Sequence, residues 1–274
     1  MSTLILGRPD DPPLAAAWAA VQRLGLPGTF VDLREPGIRL EGSELWRPSG
    51  HVSLDGVTGF YLRGHGAADA ATAQTLRDWA ELTPPGVRVV NRRRGSASNF
   101  SKPGQSLAIA AAGFRTPTGL LTTDPDVARA FVARHGKVIV KSASAVRSIV
   151  RTVDVHEDFS AVAWCPTQFQ AFVPGTEYRV HVVGRRTFAR RIVSEAVDYR
   201  YGAASTVAAE LPDEVTDRCI RLAADLGLEL AGLDLRRTPD GDWFCFEANT
   251  SPVWTAYDED GSIAVALALH LAGL

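Results

Sequence analysis

Leu230-Ala-Gly-Leu-Asp234-Leu-Arg236, then Trp243-Phe-Cys-Phe-Glu247-Ala248-Asn249, are two apolar runs separated by Thr238-Pro239-Asp240-Gly241-Asp242. Asp-Gly between apolar runs is a strong hairpin signal. With Asp240 and Gly241 as a two-residue loop, Asp234 falls directly opposite Glu247, and both carboxylates point to one face. Asn249 shares that face, because side chains alternate along a strand. Like charges placed opposite each other weaken a strand pair unless something neutralises them. A solvated hairpin face is the alternative, but the flanking residues are apolar. Two carboxylates and an amide oxygen make a hard, oxygen-rich site suited to Mg2+, especially Mg2+ shared with phosphates.

Working outward, the chain has 274 residues, enough for one large or two modest domains. Lys plus Arg number 29 against 31 Asp plus Glu, a balance that argues against a nucleic-acid or membrane-surface partner. Apolar residues at 46% and charged residues at 22% suit a chain that buries a full core. Cys165, Cys219 and Cys245 show no metal or disulfide spacing and read as small core residues of a reducing compartment. The run Met1–Gly7 is too short for a signal-peptide core, and no apolar run reaches about 18 residues. A cytoplasmic, soluble protein is expected.

Strands at Leu4–Leu6, Thr29–Leu33, Val57–Leu62 and Val87–Asn91 alternate with helices at Leu14–Leu24 and Thr72–Leu82. This predicts a small parallel α/β domain over residues 1–95, with Arg92–Ser98 as a linker. A central block over 96–172 follows. It holds a helix Gln105–Ala112, a helix opened by Asp124-Pro125, and a strand Val138–Val140 that delivers Lys141. Residues 173–274 are strand-rich and end in a buried helix, Ile263–Leu271. The fold class is α/β in the broad sense that includes α+β.

Arg63-Gly64-His65-Gly66 mimics the start of a dinucleotide fingerprint, but Asp69 replaces its third glycine. No GxxxxGK[ST], HExxH or GxSxG motif occurs. Lys141 is followed by small residues, Ser142-Ala-Ser144-Ala, that let backbone amides approach an anion. Lys102 opens a helix. Glu177, Arg179 and His181 alternate onto one face, and Arg190, Arg191 and Arg200 follow. So many arginines beside a carboxylate pair suggest anionic cargo, with surface ion pairing the alternative for each.

In this order the pieces resemble the ATP-grasp superfamily, specifically its RimK-like carboxylate–amine ligases and, among them, the microviridin-type (graspetide) enzymes that modify peptides. The resemblance rests on Ser101-Lys-Pro-Gly-Gln105, Val138-Ile-Val-Lys141, Val146-Arg-Ser-Ile-Val150, Gln170 through Gly184, Asp198-Tyr-Arg200, Gly232-Leu-Asp234 and Phe246 through Pro252. It implies an ATP-grasp fold behind a small pre-ATP-grasp domain, with ATP and Mg2+ (two ions, Mn2+ a possible substitute) as cofactors. By the same resemblance, Lys102 and Lys141 contact phosphates. Gln170, Ala171, Phe172 and Val173 form the hinge that reads adenine, and Glu177 holds the ribose. Asp234, Glu247 and Asn249 hold the metal, while Arg179, Arg191 and Arg200 serve the γ-phosphate and an acyl-phosphate. Arg190 competes with Arg191, because a one-residue shift exchanges them. Ser144, Arg147 and Arg63 are expected near the substrate.

The implied activity is an ADP-forming carbon–nitrogen ligase. The short segment between Lys141 and Gln170 favours a small acid or amino acid, joined to an amine, over a precursor peptide. A macrocycle-forming ligase on a ribosomal precursor peptide is the alternative. From other classes come a phosphotransferase and a non-catalytic ATP-binding regulator. A homodimer is compatible with the sequence.

Overall fold

The computed structural model describes residues 2–64, 70–143, 151–193 and 205–274. Four parallel strands, β1 (Ser2–Gly7), β2 (Gly28–Asp32), β6 (Val57–Leu62) and β7 (Arg88–Val90), lie in the order β2-β1-β6-β7. They were expected to within about two residues, the usual uncertainty of element ends. Asp11 caps helix α1 (Pro12–Arg23) by accepting from the backbone N–H of Leu14, and prolines at the first helical positions need no donor there. Helix α2 (Ala70–Ala80) covers the other face.

Between β2 and β6 the sequence reading found nothing. The structure places an antiparallel three-stranded sheet there: β3 (Arg39–Glu41), β4 (Glu44–Arg47) and β5 (Gly50–Ser53). The expected linker at 92–98 is also corrected. It folds as a short helix, α3 (Arg93–Ser96), continued by a 3-10 turn over Ala97–Phe100. Its entry is held by Arg92, which donates to the carbonyls of Pro84 and Val87, and by Glu81, which accepts from the Arg93 backbone.

The central layer begins with α4 (Lys102–Ala111), capped by Ser101. An antiparallel sheet ordered β10-β9-β11-β8 follows, from β8 (Gly119–Thr122), β9 (Val138–Ser142), β10 (Arg151–Val153) and β11 (Thr167–Ala171). Helix α5 (Pro125–His135) packs on it through Ala128 and Val132, against Phe159 and Phe169.

The last sheet is antiparallel and ordered β14-β13-β12-β15-β16. Its strands are β12 (Thr176–Val183), β13 (Arg186–Val193), β14 (Ser205–Ala209), β15 (Leu230–Arg237) and β16 (Trp243–Asn249). Val180, Val182, Ala231, Leu233, Leu235, Cys245 and Ala248 form its apolar face. That face packs on α4 and on α6 (Asp213–Asp225) through Ile109, Cys219 and Leu222. Alternation sends the opposite set of side chains to the other face, where the charged residues gather. Helix α7 (Ser262–Ala272) turns back to the first sheet, and Leu267 and Leu271 share a cluster with Ile5, Leu14, Tyr61 and Val183. Among the described residues no helix is long and apolar enough to cross a membrane.

Candidate active site

Register across the last sheet builds one row of charges. Arg190 on β13 opposes Arg179 on β12, Arg179 opposes Asp234 on β15, and Asp234 opposes Glu247 on β16. Directly opposed residues share a face, so two cations and two carboxylates stand side by side. Arg179, nearly buried, donates to Asp234 Oδ1 at 2.5 Å, while Asp234 keeps 37% of its side chain exposed. The Glu247 carboxylate makes no hydrogen bond or ion pair among the described residues. In the next row His181 opposes Gly232, and Gly232 opposes Asn249, whose Oδ1 accepts from the Ser251 backbone at 2.9 Å.

The hairpin reaches this pairing by a route other than the expected one. The turn is longer than two residues, since Arg237 pairs with Trp243 and Thr238–Asp242 make the loop. On that register Asp234 would have opposed Phe246. A β-bulge between Asp234 and Leu235 leaves Phe246 without a partner and restores Asp234 to Glu247. Phe246 then offers its ring to the Arg236 guanidinium, 5.1 Å from the centroid.

Arg191 needs correction. It opposes Tyr178, whose ring packs on Trp243 on the helix-covered face, and it is exposed. Arg190 instead occupies the row, donating to Thr206 Oγ1 and ion-paired with Glu259. The Gly184-Arg185 turn between Val183 and Arg186 sets this register and was available in the sequence.

Gly232 has no side chain because Arg179 lies over it. A Cβ there would sit 2.4 Å from Arg179 Nη2 and 2.8 Å from Pro252 Cβ. Gly232→Ala is therefore expected to push Arg179 out of the row and lower turnover about a hundredfold, the scale for losing one charge-stabilising donor. Steady-state ADP formation beside a melting curve tests this. Unchanged turnover would mean that the position of Arg179 does not matter.

At the hinge, the Ala171 and Phe172 backbone N–H groups donate to the carbonyls of Thr118 and Lys137, and Val173 O accepts from Arg236 Nη1 at 2.5 Å. Arg236 is buried, ion-paired with Glu177, and lies over the Phe172 ring at 5.4 Å from the other side chain's centroid. Burial lowers its pKa. Sequence reading passed over Arg236, although it stands directly opposite Glu177. Lys102, in the first turn of α4, donates to Ser142 O at 3.2 Å, which brings it beside Lys141 at the end of β9. Gln105, also on α4, clamps Ala248 from both sides: its Nε2 donates to Ala248 O at 2.8 Å and its Oε1 accepts from Ala248 N at 2.9 Å. The residue between Glu247 and Asn249 is thus fixed.

Arg63 is buried, ion-paired with Asp11 at 3.0 Å, and donates to Ser251 Oγ and Pro252 O, each at 3.1 Å. It fastens the segment after Asn249. Farther along that segment Tyr257 lies beside His181, with ring centroids 5.2 Å apart. Ser144, Arg147 and Arg200 lie outside the described residues.

His181 is fully buried, and neither ring nitrogen has a hydrogen-bond partner among the described residues. Burial, and secondarily the Arg179 charge, hold its pKa well below 6.5, so it is neutral in the folded protein. As pH falls below about 6.5 the unfolded chain takes up a proton that the folded chain refuses. Stability should then fall by about 1.4 kcal/mol per pH unit on this account. Denaturant titrations between pH 7 and 5 should show a shallower slope in His181→Phe; identical slopes would refute the assignment.

These elements make up an ATP-grasp fold: an antiparallel sheet carrying two carboxylates and an amide, a second sheet whose Lys141 meets Lys102 from the start of α4, and a hinge strand between them. Comparison with solved structures agrees. The ATP-grasp ligase PsnB, complexed with a phosphomimetic variant of its minimal precursor, Mg and ADP, is 25% identical, with a TM-score of 0.79 over 98% of this chain and 97% of that chain. A RiPP-associated ATP-grasp ligase from Chryseobacterium gregarium, in complex with ADP and a leader and core peptide, is 19% identical, with a TM-score of 0.81 over 99% and 96%. The macrocyclase MdnC from Microcystis aeruginosa MRC, bound with precursor peptide MdnA, is 17% identical, with a TM-score of 0.78 over 100% of both chains. No family model matches the chain, and no curated protein matches it.

Proposed function

We propose that this chain is an ATP-dependent, ADP-forming ligase that joins a carboxylate to an amine or hydroxyl within a ribosomally made precursor peptide. The row Arg190–Arg179–Asp234–Glu247, backed by Asn249, is the observation that carries the ligase reading. For the peptide, the support is likeness over nearly the whole chain, first domain included, to enzymes solved with precursor peptides. The small-acid reading drew on the short segment after Lys141 and finds less support.

Asp234, Glu247 and Asn249 fit Mg2+: their donors are all hard oxygens, and among the described residues no cluster of three His, Cys, Asp or Glu side chains offers a closed cage. Such a set suits an ion that completes its shell with phosphate oxygens and water. Mg2+ held there neutralises charge on the phosphates. In the hinge, the Ala171 and Phe172 amides are committed, which leaves the Val173 N–H to read adenine. Arg236 orients Glu177 toward a ribose. Lys102, from the start of α4, and Lys141, at the end of β9, supply positive charge to the phosphates as a pair.

The substrate carboxylate attacks the γ-phosphorus, the bond to the β-phosphate oxygen breaks, and ADP leaves. Arg179 and Arg190 stabilise the charge of the transferring group and of the acyl-phosphate. The nucleophile then adds to the acyl carbon, loses its proton, and expels phosphate.

Incubation with Mg-ATP and a short acidic peptide encoded beside the gene tests the reading by mass spectrometry. Loss of one water per ADP formed is expected. A phosphorylated product without water loss would make the chain a phosphotransferase. Hydroxamates of a small acid in the presence of hydroxylamine, with the peptide untouched, would restore the small-acid ligase.

A further inference from the structure

A cavity of about 540 Å³ opens between α2, the ends of β6 and β7, and the 93–100 segment. Thr250 and Ser251, directly after Asn249, close one wall, so it adjoins the set Asp234, Glu247 and Asn249. Phe60, Leu62 and Val89 line it, and Phe100, 71% exposed, also contributes to its lining. Two polar groups in this apolar setting lack partners. Arg77 on α2 makes no hydrogen bond or ion pair among the described residues, and its guanidinium lies against Gly64, where a Cβ would be 2.8 Å from Nη2. Asn99 has a buried side-chain oxygen that no donor meets. A buried acceptor without a donor is costly to keep, so such a pair in one cavity marks a place where a ligand completes the bonding.

We propose that this cavity binds an acidic residue of the substrate through a carboxylate that is not the one activated, held by Arg77, with Asn99 Oδ1 accepting a peptide N–H of the same segment. An unpaired arginine and an unmet acceptor call for a ligand that carries both an anion and an N–H donor. An acidic residue within a peptide carries both, and its methylenes match the apolar wall. A carboxylate paired with a guanidinium is a poor nucleophile, and none of Arg179, Arg190, Asp234 and Glu247 lines this cavity. The cavity therefore anchors one acid while another reacts on the charge row. This rests on the ligase reading only for its place in the reaction.

The test needs no turnover. Ligand-observed NMR on the full chain would compare N-acetyl-glutamate N-methylamide, its glutamine counterpart, and glutarate. The glutamate compound should bind about tenfold more tightly than the other two. Arg77→Gln should erase its advantage over the glutamine compound, Asn99→Ala its advantage over glutarate, and neither should change ATP affinity measured on the same samples. Arg77 is partly exposed and makes no hydrogen bond or ion pair among the described residues, so its replacement is expected to leave the fold intact. Equal binding of all three compounds, or none, would overturn the cavity assignment. Failure of the wild-type chain to bind ATP would count against the ligase and leave the NMR comparison standing.

Discussion

Glu247→Gln is expected to lower ADP formation by at least about a hundredfold, the scale seen when one group holding a metal or a transferring charge is removed. The fold should survive, and the nucleotide-free protein should be as stable as the parent or slightly more so. Glu247 has no ion pair to lose among the described residues, and it stands directly opposite another carboxylate. Removing one of two opposed like charges relieves repulsion worth a few tenths of a kcal/mol up to about 1 kcal/mol. Asp234→Asn should behave differently, because it removes the ion pair that Asp234 makes with the nearly buried Arg179. Paired melting curves with and without Mg-ATP separate the two variants. Full activity in Glu247→Gln would sink the metal assignment.

The largest loss of stability is expected from Asn91, at the end of the first sheet. Its Nδ2 donates to Leu230 O and Thr250 O, both at 2.7 Å, and its Oδ1 accepts from the backbone N–H of Glu229 at 2.8 Å and Leu230 at 3.1 Å. One amide thus serves four main-chain groups and fastens β7 to the start of β15 and the end of β16. Asn91→Ala leaves all four without it, at a cost of about 4 kcal/mol, or roughly 10 °C in melting temperature for a chain of this size. Asn91→Asp has nearly the same shape, yet it should do no better, since a carboxylate cannot donate to the two carbonyls. A melting temperature within a degree or two of the parent for Asn91→Asp would show that shape, not hydrogen bonding, matters there.

Local pattern revealed the four parallel strands, because each is a compact apolar run between turn residues. It also placed Glu247 and Asn249 on one face, because a period of two carries that information; Asp234 joined them as expected only because the longer turn and the bulge offset each other. The bulge at Phe246 was not legible, since a bulge is a property of two strands together. Strands β3–β5 escaped because each has three or four residues and leaves much of its length in water. The helix at 93–96 reads Arg-Arg-Gly-Ser, with no apolar residue to give it a pattern, and its entry is fixed by the bonds of Arg92 to Pro84 and Val87 and of the Arg93 backbone to Glu81. Arg190 was separable from Arg191 only by following the Gly184-Arg185 turn. Glu259, 69 residues away from Arg190, and Tyr257 reach the site through the chain's return path, which no local window contains.

Helix α7 gives the molecule an order of assembly. It lies on the first sheet, yet it is translated long after the strands of that sheet and after both later sheets. While the ribosome is still producing the middle of the chain, Ile5, Leu14 and Tyr61 have no Leu267 or Leu271 to close over them. The nascent first sheet therefore carries an open apolar flank through most of translation, a state in which unrelated apolar surfaces compete for it. Nucleotide-site and first-sheet maturation become one late event, because the same helix follows directly on the segment that Arg63 and Asn91 fasten. A newly made chain would thus acquire its charge row and its finished first layer together.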